Sequence, residues 1–534
     1  MHAVQSRGAP SRDTPPRPPD PLEAGHVTST ANSAVLAGIH AHLVEVEVDV
    51  AGGLPNFAIV GLPGSAVRES KDRVRAALRN CALAIAERRV TINLAPAHLR
   101  KDGATFDLAI ALALLAANEQ LEQRALTGVV AVGELALDGR VKPVHGALPI
   151  ARAVVQAGHR RLLVPSSNAA EAALAGGVEV FGVATLDEAV ALLRGQRALE
   201  PTHVDATSLL ARNGTNDLDF AEVRGQAAAK RALEVAAAGA HNVLMVGPPG
   251  AGKTMLARRL PTILPELTLD EALACTAMHS IAGLLGAQPM ITARPLRAPH
   301  HTASEVALIG GGRPVRPGEI ALAHNGVLLL DELPEFPVAC LEALRQPLEE
   351  RVIVVARASG TYAFPAHAQI VCAMNPCPCG YAGDPKHACT CTAGAVQRYR
   401  GRISGPLLDR LDVQIEVPAL PYHEMTASGA SEPSADVRER VRAARLRQRE
   451  RYAAHGITAN AELGSRLLER YCRPDAAGAR LLETAVTRFR LSARAYARVL
   501  KVARSIADLA GREELGAADV AEALQYRMLD RPSA

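Results

Sequence analysis

The chain has 534 residues, 48% of them hydrophobic and 21% charged, with a formal net charge of +4. That length exceeds what one hydrophobic core fills, so two or three domains are expected, and so small a charge excess does not by itself call for a polyanionic partner. No Trp, 7 Phe and 8 Tyr leave aliphatic packing to fill the cores and few platforms on which bases could stack. Apolar runs such as Leu108 to Ala117 are too short to span a bilayer. Nine cysteines, an odd number with no targeting leader, indicate free thiols in a reducing cytoplasm.

Residues 1–30 carry Pro, Arg, Ser and Asp with almost no apolar periodicity, which predicts a disordered extension and folded chain from about Ser33. Residues 31–195 read as a compact α+β domain. Leu43 to Val50 alternates acidic and aliphatic residues like a strand with one wet face, Phe57 to Val60 is a second strand, and the turn Gly61-Leu-Pro-Gly64 leads into an amphipathic helix over Ala66 to Asn80. Val90 to Leu94 is a further strand, Thr105 to Ala117 an apolar helix, and Leu162 to Pro165 a strand end; the polar stretch 196–218 reads as a linker. In 219–425, Gln226 to Ala238 and Met255 to Leu260 are helices, while His241 to Val246, Val327 to Leu330 and Ile370 to Met374 are apolar strands. Strands and helices alternating on this spacing predict a mostly parallel sheet covered on both faces. After a Ser- and Pro-containing break, 426–534 is nearly all helical by periodicity, the pattern of a small lid.

Gly247, Pro248, Pro249, Gly250, Ala251, Gly252, Lys253 and Thr254 fit the G-x-x-x-x-G-K-[ST] pattern between a predicted strand and a predicted helix. Glycines let backbone amides approach phosphates, Lys253 supplies a charge to the β and γ phosphates of ATP, and Thr254 offers a hydroxyl to Mg²⁺. Val327-Leu-Leu-Leu-Asp-Glu332 delivers two carboxylates at a strand's carboxyl end, where Asp331 suits the Mg²⁺ or its water and Glu332 suits activation of the attacking water. Asn375 ends the next apolar strand and could orient that water. Arg410, in Leu407-Leu-Asp-Arg-Leu-Asp412, is suited to reach the γ phosphate of a neighbouring subunit, and Arg494 to act in cis.

Three further segments carry chemistry. Cys377, Cys379, Cys389 and Cys391 form two tight pairs whose four thiolates could close a tetrahedral Zn²⁺ site, with His387 between them as a substitute ligand; unliganded thiols are the plainer alternative. The insertion between the two phosphate-site motifs holds Arg294-Pro-Leu-Arg-Ala-Pro-His-His-Thr302 and Gly310-Gly-Gly-Arg-Pro-Val-Arg316, and a hairpin is expected from Arg351 to Ala358 and Tyr362 to Val371; each could place cations on a nucleic-acid backbone or pack subunits together. Val437 to Arg451 has seven arginines against two glutamates, either a solvated helix or a DNA-facing surface.

Taken with Leu330-Asp-Glu-Leu-Pro-Glu-Phe336, Met374-Asn-Pro-Cys-Pro-Cys-Gly380 and Leu491-Ser-Ala-Arg-Ala-Tyr-Ala-Arg498, these motifs resemble the magnesium-chelatase-like AAA+ proteins of bacteria, the YifB/ComM family, over nearly everything from residue 33 to 530. The resemblance implies an AAA+ P-loop ATPase core with a C-terminal helical lid, preceded by a domain like ribosomal S5 domain 2 and the proteolytic domain of Lon-type enzymes. It implies homo-hexameric rings acting on branched or single-stranded DNA and promoting branch migration in natural transformation, with Lys253 and Thr254 as Walker A, Asp331 and Glu332 as Walker B, Asn375 as sensor 1, Arg410 as arginine finger and Arg494 as sensor 2. The alternative is a protein-remodelling ATPase without DNA activity. Chelatase activity is not expected. Nor is peptidase activity: Thr105 takes the Lon serine position in Lys101-Asp-Gly-Ala-Thr-Phe-Asp107, but Leu148 stands where the basic lysine belongs, and a hydroxyl without a base is a poor nucleophile.

Overall fold

The computed structural model describes residues 27–83, 85, 88–211, 218–357, 360–384, 386–421, 424 and 431–527. A seven-stranded mixed sheet occupies the N-terminal part, in the order Asn56–Val60, Arg89–Ala95, His40–Ala51, Val27–Ala37, Val129–Ala131, Arg161–Pro165, Glu179–Val183. Along His40–Ala51, Val44, Val46, Val48 and Val50 are buried while Glu45 and Glu47 are exposed, the expected one wet face. Helices Ser65–Asn80 and Asp107–Ala117 pack on one side of the sheet, and Ala147–Gln156 packs on the other through Ile150 and Val154. The Asp107 carboxylate, fully buried at the start of its helix, accepts from Ser70, from Arg73 Nε at 2.7 Å and from the Leu135 backbone N–H at 3.2 Å.

Folded chain begins earlier than the composition suggests. Val27–Ala37 pairs antiparallel with His40–Ala51 from Val27↔Val50 to Ala37↔His40, so ordered strand replaces the extension expected as far as residue 30. Ser29 and Ser33 point inward with Ala31, and the Ser29 hydroxyl donates to the Ala113 carbonyl at 2.6 Å. The Ser33 hydroxyl is buried without a hydrogen-bond partner, so the backbone ladder alone holds that position in the core. Residues 1–26 lie outside the described residues. Within the expected linker, Ala206–Ala211 is helical, and Leu209 and Leu210 pack toward helix Leu269–Ala282.

The second sheet has five strands, all parallel, in the order Leu296–Arg297, Val327–Leu330, Gln369–Met374, Val243–Val246, Val413–Glu416. The three apolar strands expected from sequence stand side by side at its centre, fully buried. In an all-parallel sheet the carboxyl ends share one edge. That edge brings together Gly247, Asp331 and Asn375, each of which directly follows its strand. The expected hairpin is shorter than read: Val352–Arg357 pairs with Gly360–Pro365, and Gln369–Met374 belongs to the main sheet.

After 431 the described chain is helical, with Ser434–Tyr452, Ser465–Tyr471, Ala476–Phe489, Ala493–Leu509 and Ala517–Gln525. Val437, Val441, Ala444 and Gln448 form the buried stripe of the first of these. Its seven arginines are all engaged within the chain: Arg440 with Glu234 at 2.6 Å, Arg451 with Asp508 at 2.6 Å, Arg445 with the Ala237 carbonyl, Arg447 with the Asp508 carbonyl, and Arg438, Arg442 and Arg449 with Glu266, Glu439 and Glu271. The sequence leaves this run as either a solvated helix or a DNA-facing surface; the structure instead engages each of its arginines within the chain.

Candidate active site

The phosphate loop is shaped by steric need. Gly247 lies so close to the neighbouring strand that a Cβ would stand 2.1 Å from the Val417 carbonyl oxygen, and Gly250 and Gly252 have φ of +76° and +90°. Helix Lys253–Ile263 starts directly after Gly252, so its first amides face the loop. The Lys253 ammonium donates to the carbonyls of Gly247 at 2.7 Å and Pro248 at 2.9 Å and to Asn375 Oδ1 at 3.2 Å. Burial lowers its pKa, and the charges of Asp331 and Glu332 oppose that shift. Lys253 and Asn375, two of the side chains expected at the γ phosphate, therefore meet.

Thr254 Oγ1 donates to Asp331 Oδ2 at 2.6 Å. A hydroxyl and a carboxylate held at that separation, on the first turn of the phosphate helix and at a strand end, are the hard oxygen donors that suit Mg²⁺ with its waters. Glu332 departs from the strand in the left-handed region at φ 53°. Its carboxylate lies 2.9 Å from His301 Nδ1, and the His301 ring packs on His300 with centroids 4.1 Å apart. His301 is a site residue whose position in the sequence gave no role; only the placement of strand Leu296–Arg297 beside Val327–Leu330 brings it to Glu332.

Arg410 is 5% exposed and forms an ion pair with Glu349 inside its own chain. Desolvation and the neighbouring charges of Arg345, Arg494 and Arg498 lower its pKa. Arg494, expected to act in cis, is exposed on the first turn of Ala493–Leu509. One turn further, Arg498 pairs with buried Asp412 and donates to the Arg410 carbonyl at 3.3 Å, one of the ties between the helical part and the sheet. Arg402, exposed, lies 3.5 Å from Glu335.

The four cysteines converge. Sulfur separations are 3.3 Å for Cys377–Cys379, 3.7 Å for Cys377–Cys389 and 3.5 Å for Cys379–Cys389, and all four sulfurs lie within 4.8 Å of one another. All are free thiols. His387 does not join them: its ring packs on Tyr381 and its Nδ1 lies 3.6 Å from Asp384.

Comparison with known proteins settles the family. Residues 46–168 match the family described as subunit ChlI of Mg-chelatase, 219–425 the magnesium chelatase subunit ChlI, and 431–527 the ChlI C-terminal region. Competence protein ComM of Haemophilus influenzae is 45% identical over 497 residues, covering 92% of this chain and 96% of that one. The protein YifB of Escherichia coli is 42% identical over 506 residues, covering 94% and 97%. A Mycobacterium tuberculosis protein is 45% identical over 501 residues, covering 93% and 98%. The chain belongs to the YifB/ComM family of magnesium-chelatase-like AAA+ proteins.

In this YifB/ComM protein the N-terminal part rests on the ATPase core. The Ser280 hydroxyl, on helix Leu269–Ala282, accepts from the Gly146 backbone N–H at 2.9 Å and donates to the buried Glu171 carboxylate, which also accepts from Leu148 N–H at 2.8 Å. Leu148 is fully buried in that contact with Leu273, and the Thr105 hydroxyl donates to the Ala34 carbonyl at 3.5 Å. Beside the contact opens a cleft of about 1310 Å³ between the N-terminal sheet and the inserted hairpins. Arg68, Arg313, Arg316 and Arg357 line it, exposed and without a carboxylate partner among the described residues. The arginines of the other inserted loop are spent on structure: Arg294 is bound by the Pro265 and Asn325 carbonyls and Glu271, and Arg297 makes a two-point pair with Glu319.

Proposed function

We propose that the protein is an ATP-driven motor on DNA, a translocase or branch-migration helicase of homologous recombination and natural transformation, working in the cytoplasm as a ring of six. The observation that carries this reading is the cleft lined by Arg68, Arg313, Arg316 and Arg357, which have no carboxylate partner among the described residues, in the same chain as a site where Lys253 meets Asn375 and Thr254 meets Asp331. Arginines free of carboxylates are available to phosphodiesters, with affinity dominated by charge and weakened by salt. The name of the Haemophilus relative, competence protein, supports a DNA substrate.

In this reading ATP and Mg²⁺ bind at the edge of the parallel sheet. Lys253 would take β- and γ-phosphate charge, Thr254 and Asp331 would hold Mg²⁺, which would supply charge neutralisation, and Asn375 would fix the water for which Glu332 is placed as base. Arg410 leaves Glu349 to serve a neighbouring subunit's site, and Arg494 reports nucleotide state from the helical lid. The N-terminal part is a ribosomal-S5-like, Lon-protease-like domain that forms one wall of the cleft without acting as a peptidase. Among the described residues no helix is long and apolar enough to cross a membrane.

The test is steady-state ATP hydrolysis without DNA, with single-stranded DNA and with a four-way junction, beside Glu332→Gln. Stimulation by DNA that is lost in the variant and weakened by salt is expected. A flat response over intact basal turnover would favour the second reading, a protein-remodelling ATPase, to which the apolar Leu36, Leu62 and Leu99 in the same cleft would give a polypeptide footing.

A further inference from the structure

The cysteine loop is built against the phosphate loop. Asn375, whose carboxamide oxygen receives the Lys253 ammonium at 3.2 Å, is followed two residues later by Cys377, which is fully buried. At the other end of the first cysteine pair, Gly380 has φ +89° and lies so near the phosphate loop that a Cβ there would stand 2.6 Å from Pro249 Cδ. The chain from Asn375 to Gly380 thus touches the nucleotide site twice, once through a carboxamide and once as a wall behind Pro249. Arg400 adds a clamp from the helix after the second pair, donating from Nε to the Pro376 carbonyl at 3.1 Å.

This segment has little regular structure of its own to keep it in place. Between the end of strand Gln369–Met374 and the start of helix Ala393–Arg400 no helix or strand intervenes among the described residues. The sulfurs of Cys377, Cys379, Cys389 and Cys391 converge, and four thiolates so arranged suit Zn²⁺. A Zn²⁺ bound at ~2.3 Å to four thiolates sets tetrahedral edges of ~3.8 Å. The separations of 3.3, 3.5 and 3.7 Å approach that edge, and they are far longer than the ~2.0 Å of a disulfide. Backbone N–H groups of Cys379, Ala382 and Cys391 point at the sulfurs of Cys391, Cys377 and Cys389 at 3.3 to 3.4 Å, the donors that a cluster of thiolates needs to offset its negative charge.

We propose that Cys377, Cys379, Cys389 and Cys391 bind one Zn²⁺, and that this ion braces the phosphate loop, so that zinc occupancy sets how well the protein binds nucleotide. The metal takes no part in hydrolysis. It closes the loop whose Gly380 backs Pro249 and whose first residues carry Asn375, and without it both lose their backing. The proposal rests on the reading of Gly247–Thr254 as the nucleotide site.

Two variants and one reversible treatment test it on the full chain. Metal analysis of the purified protein is expected to give one zinc per chain, falling in Cys379→Ser. Binding of a fluorescent ATP analogue, with Mg²⁺ in excess throughout, is expected to weaken about tenfold or more when zinc is stripped by a chelator that spares Mg²⁺, the scale on which small displacements of positioned groups act. Added Zn²⁺ is expected to restore it. Gly380→Ala keeps all four thiols and is expected to retain zinc while losing nucleotide affinity, which separates the brace from the metal site itself. Iron or no metal at the cysteines would overturn the zinc assignment. Zinc that leaves without changing nucleotide affinity would overturn the brace alone. A wild-type chain with zinc that takes up no nucleotide would instead refute the reading of the phosphate loop on which the brace depends.

Discussion

The imidazole of His301 and the carboxylate of Glu332 meet at 2.9 Å, 31 positions apart in sequence. An ionised carboxylate only accepts, so the imidazole donates from Nδ1 in this contact and holds one of the two Glu332 oxygens in place. His300 holds the ring from behind and is itself fixed to Thr302 through Nδ1 at 2.9 Å. If Glu332 activates the attacking water as proposed, the pair restrains it away from that task. His301→Ala is therefore expected to raise DNA-free kcat by roughly three- to tenfold, the scale of one charge-assisted hydrogen bond discounted for exposure, with KM for ATP unchanged. His301→Gln, which still donates, should stay near wild type. A drop in kcat with KM unchanged would show that His301 aligns the carboxylate and does not park it.

Arg410 tests the ring. If it supplies charge to a neighbour's γ phosphate, Arg410→Ala should lower kcat by about a thousandfold with nucleotide binding retained. Mixing that variant with Glu332→Gln should recover turnover, because in some interfaces the intact finger of one chain faces the intact carboxylate of the other. Mixtures that are no more active than the sum of their parts would exclude action in trans. The Arg410–Glu349 pair would then have only a folding role.

The cleft arginines predict a salt signature. Arg313→Ala with Arg316→Ala should flatten the dependence of log affinity on log salt by roughly 0.7 per lost single-strand phosphate contact. Fluorescence anisotropy with a labelled oligonucleotide at several salt concentrations measures it. An unaltered slope would place the DNA elsewhere.

Acid should loosen the core through its buried histidines. Burial pushes the His324 imidazole down to about 4, and its Nδ1 accepts the His367 backbone N–H at 3.2 Å, a bond that protonation there removes. The folded state then binds fewer protons than the unfolded one between about 6.5 and 4, so this contribution is complete above the unfolded value and is lost as pH falls through that window. The gap amounts to roughly 3 kcal/mol. His241, His279 and His367 are lowered in the same direction by burial. Denaturant midpoints measured across pH 7 to 4 should fall, and less steeply in His324→Asn.

The sequence by itself determined which residues stand at the candidate nucleotide site, because their placement follows from local geometry. A Gly-rich loop between a strand and a helix, and two acids after four aliphatics, declare their chemistry because backbone approach to phosphate and delivery of charge at a strand end need those residues at those spacings. The valine alternation in His40–Ala51 was legible for the same reason, since period two follows from the pleat. Strand Val27–Ala37 was not legible, because Ser29, Ala31 and Ser33 carry too little apolar signal and are held by a ladder and a hydroxyl bond that composition cannot show.

Tertiary structure alone decided which charges are free and which groups meet. In sequence, Arg294, Arg313 and the seven arginines of Ser434–Tyr452 look alike; the fold supplies carbonyls and carboxylates to Arg294 and to the helix, and leaves Arg313 facing a cleft. Sheet order put His301 beside Glu332 and Gly380 behind Pro249, contacts made by strands and loops distant in the chain. A spacing rule reaches only as far as one element's regular geometry, whereas the partner of a charged or buried group is set by which elements the whole core packs together.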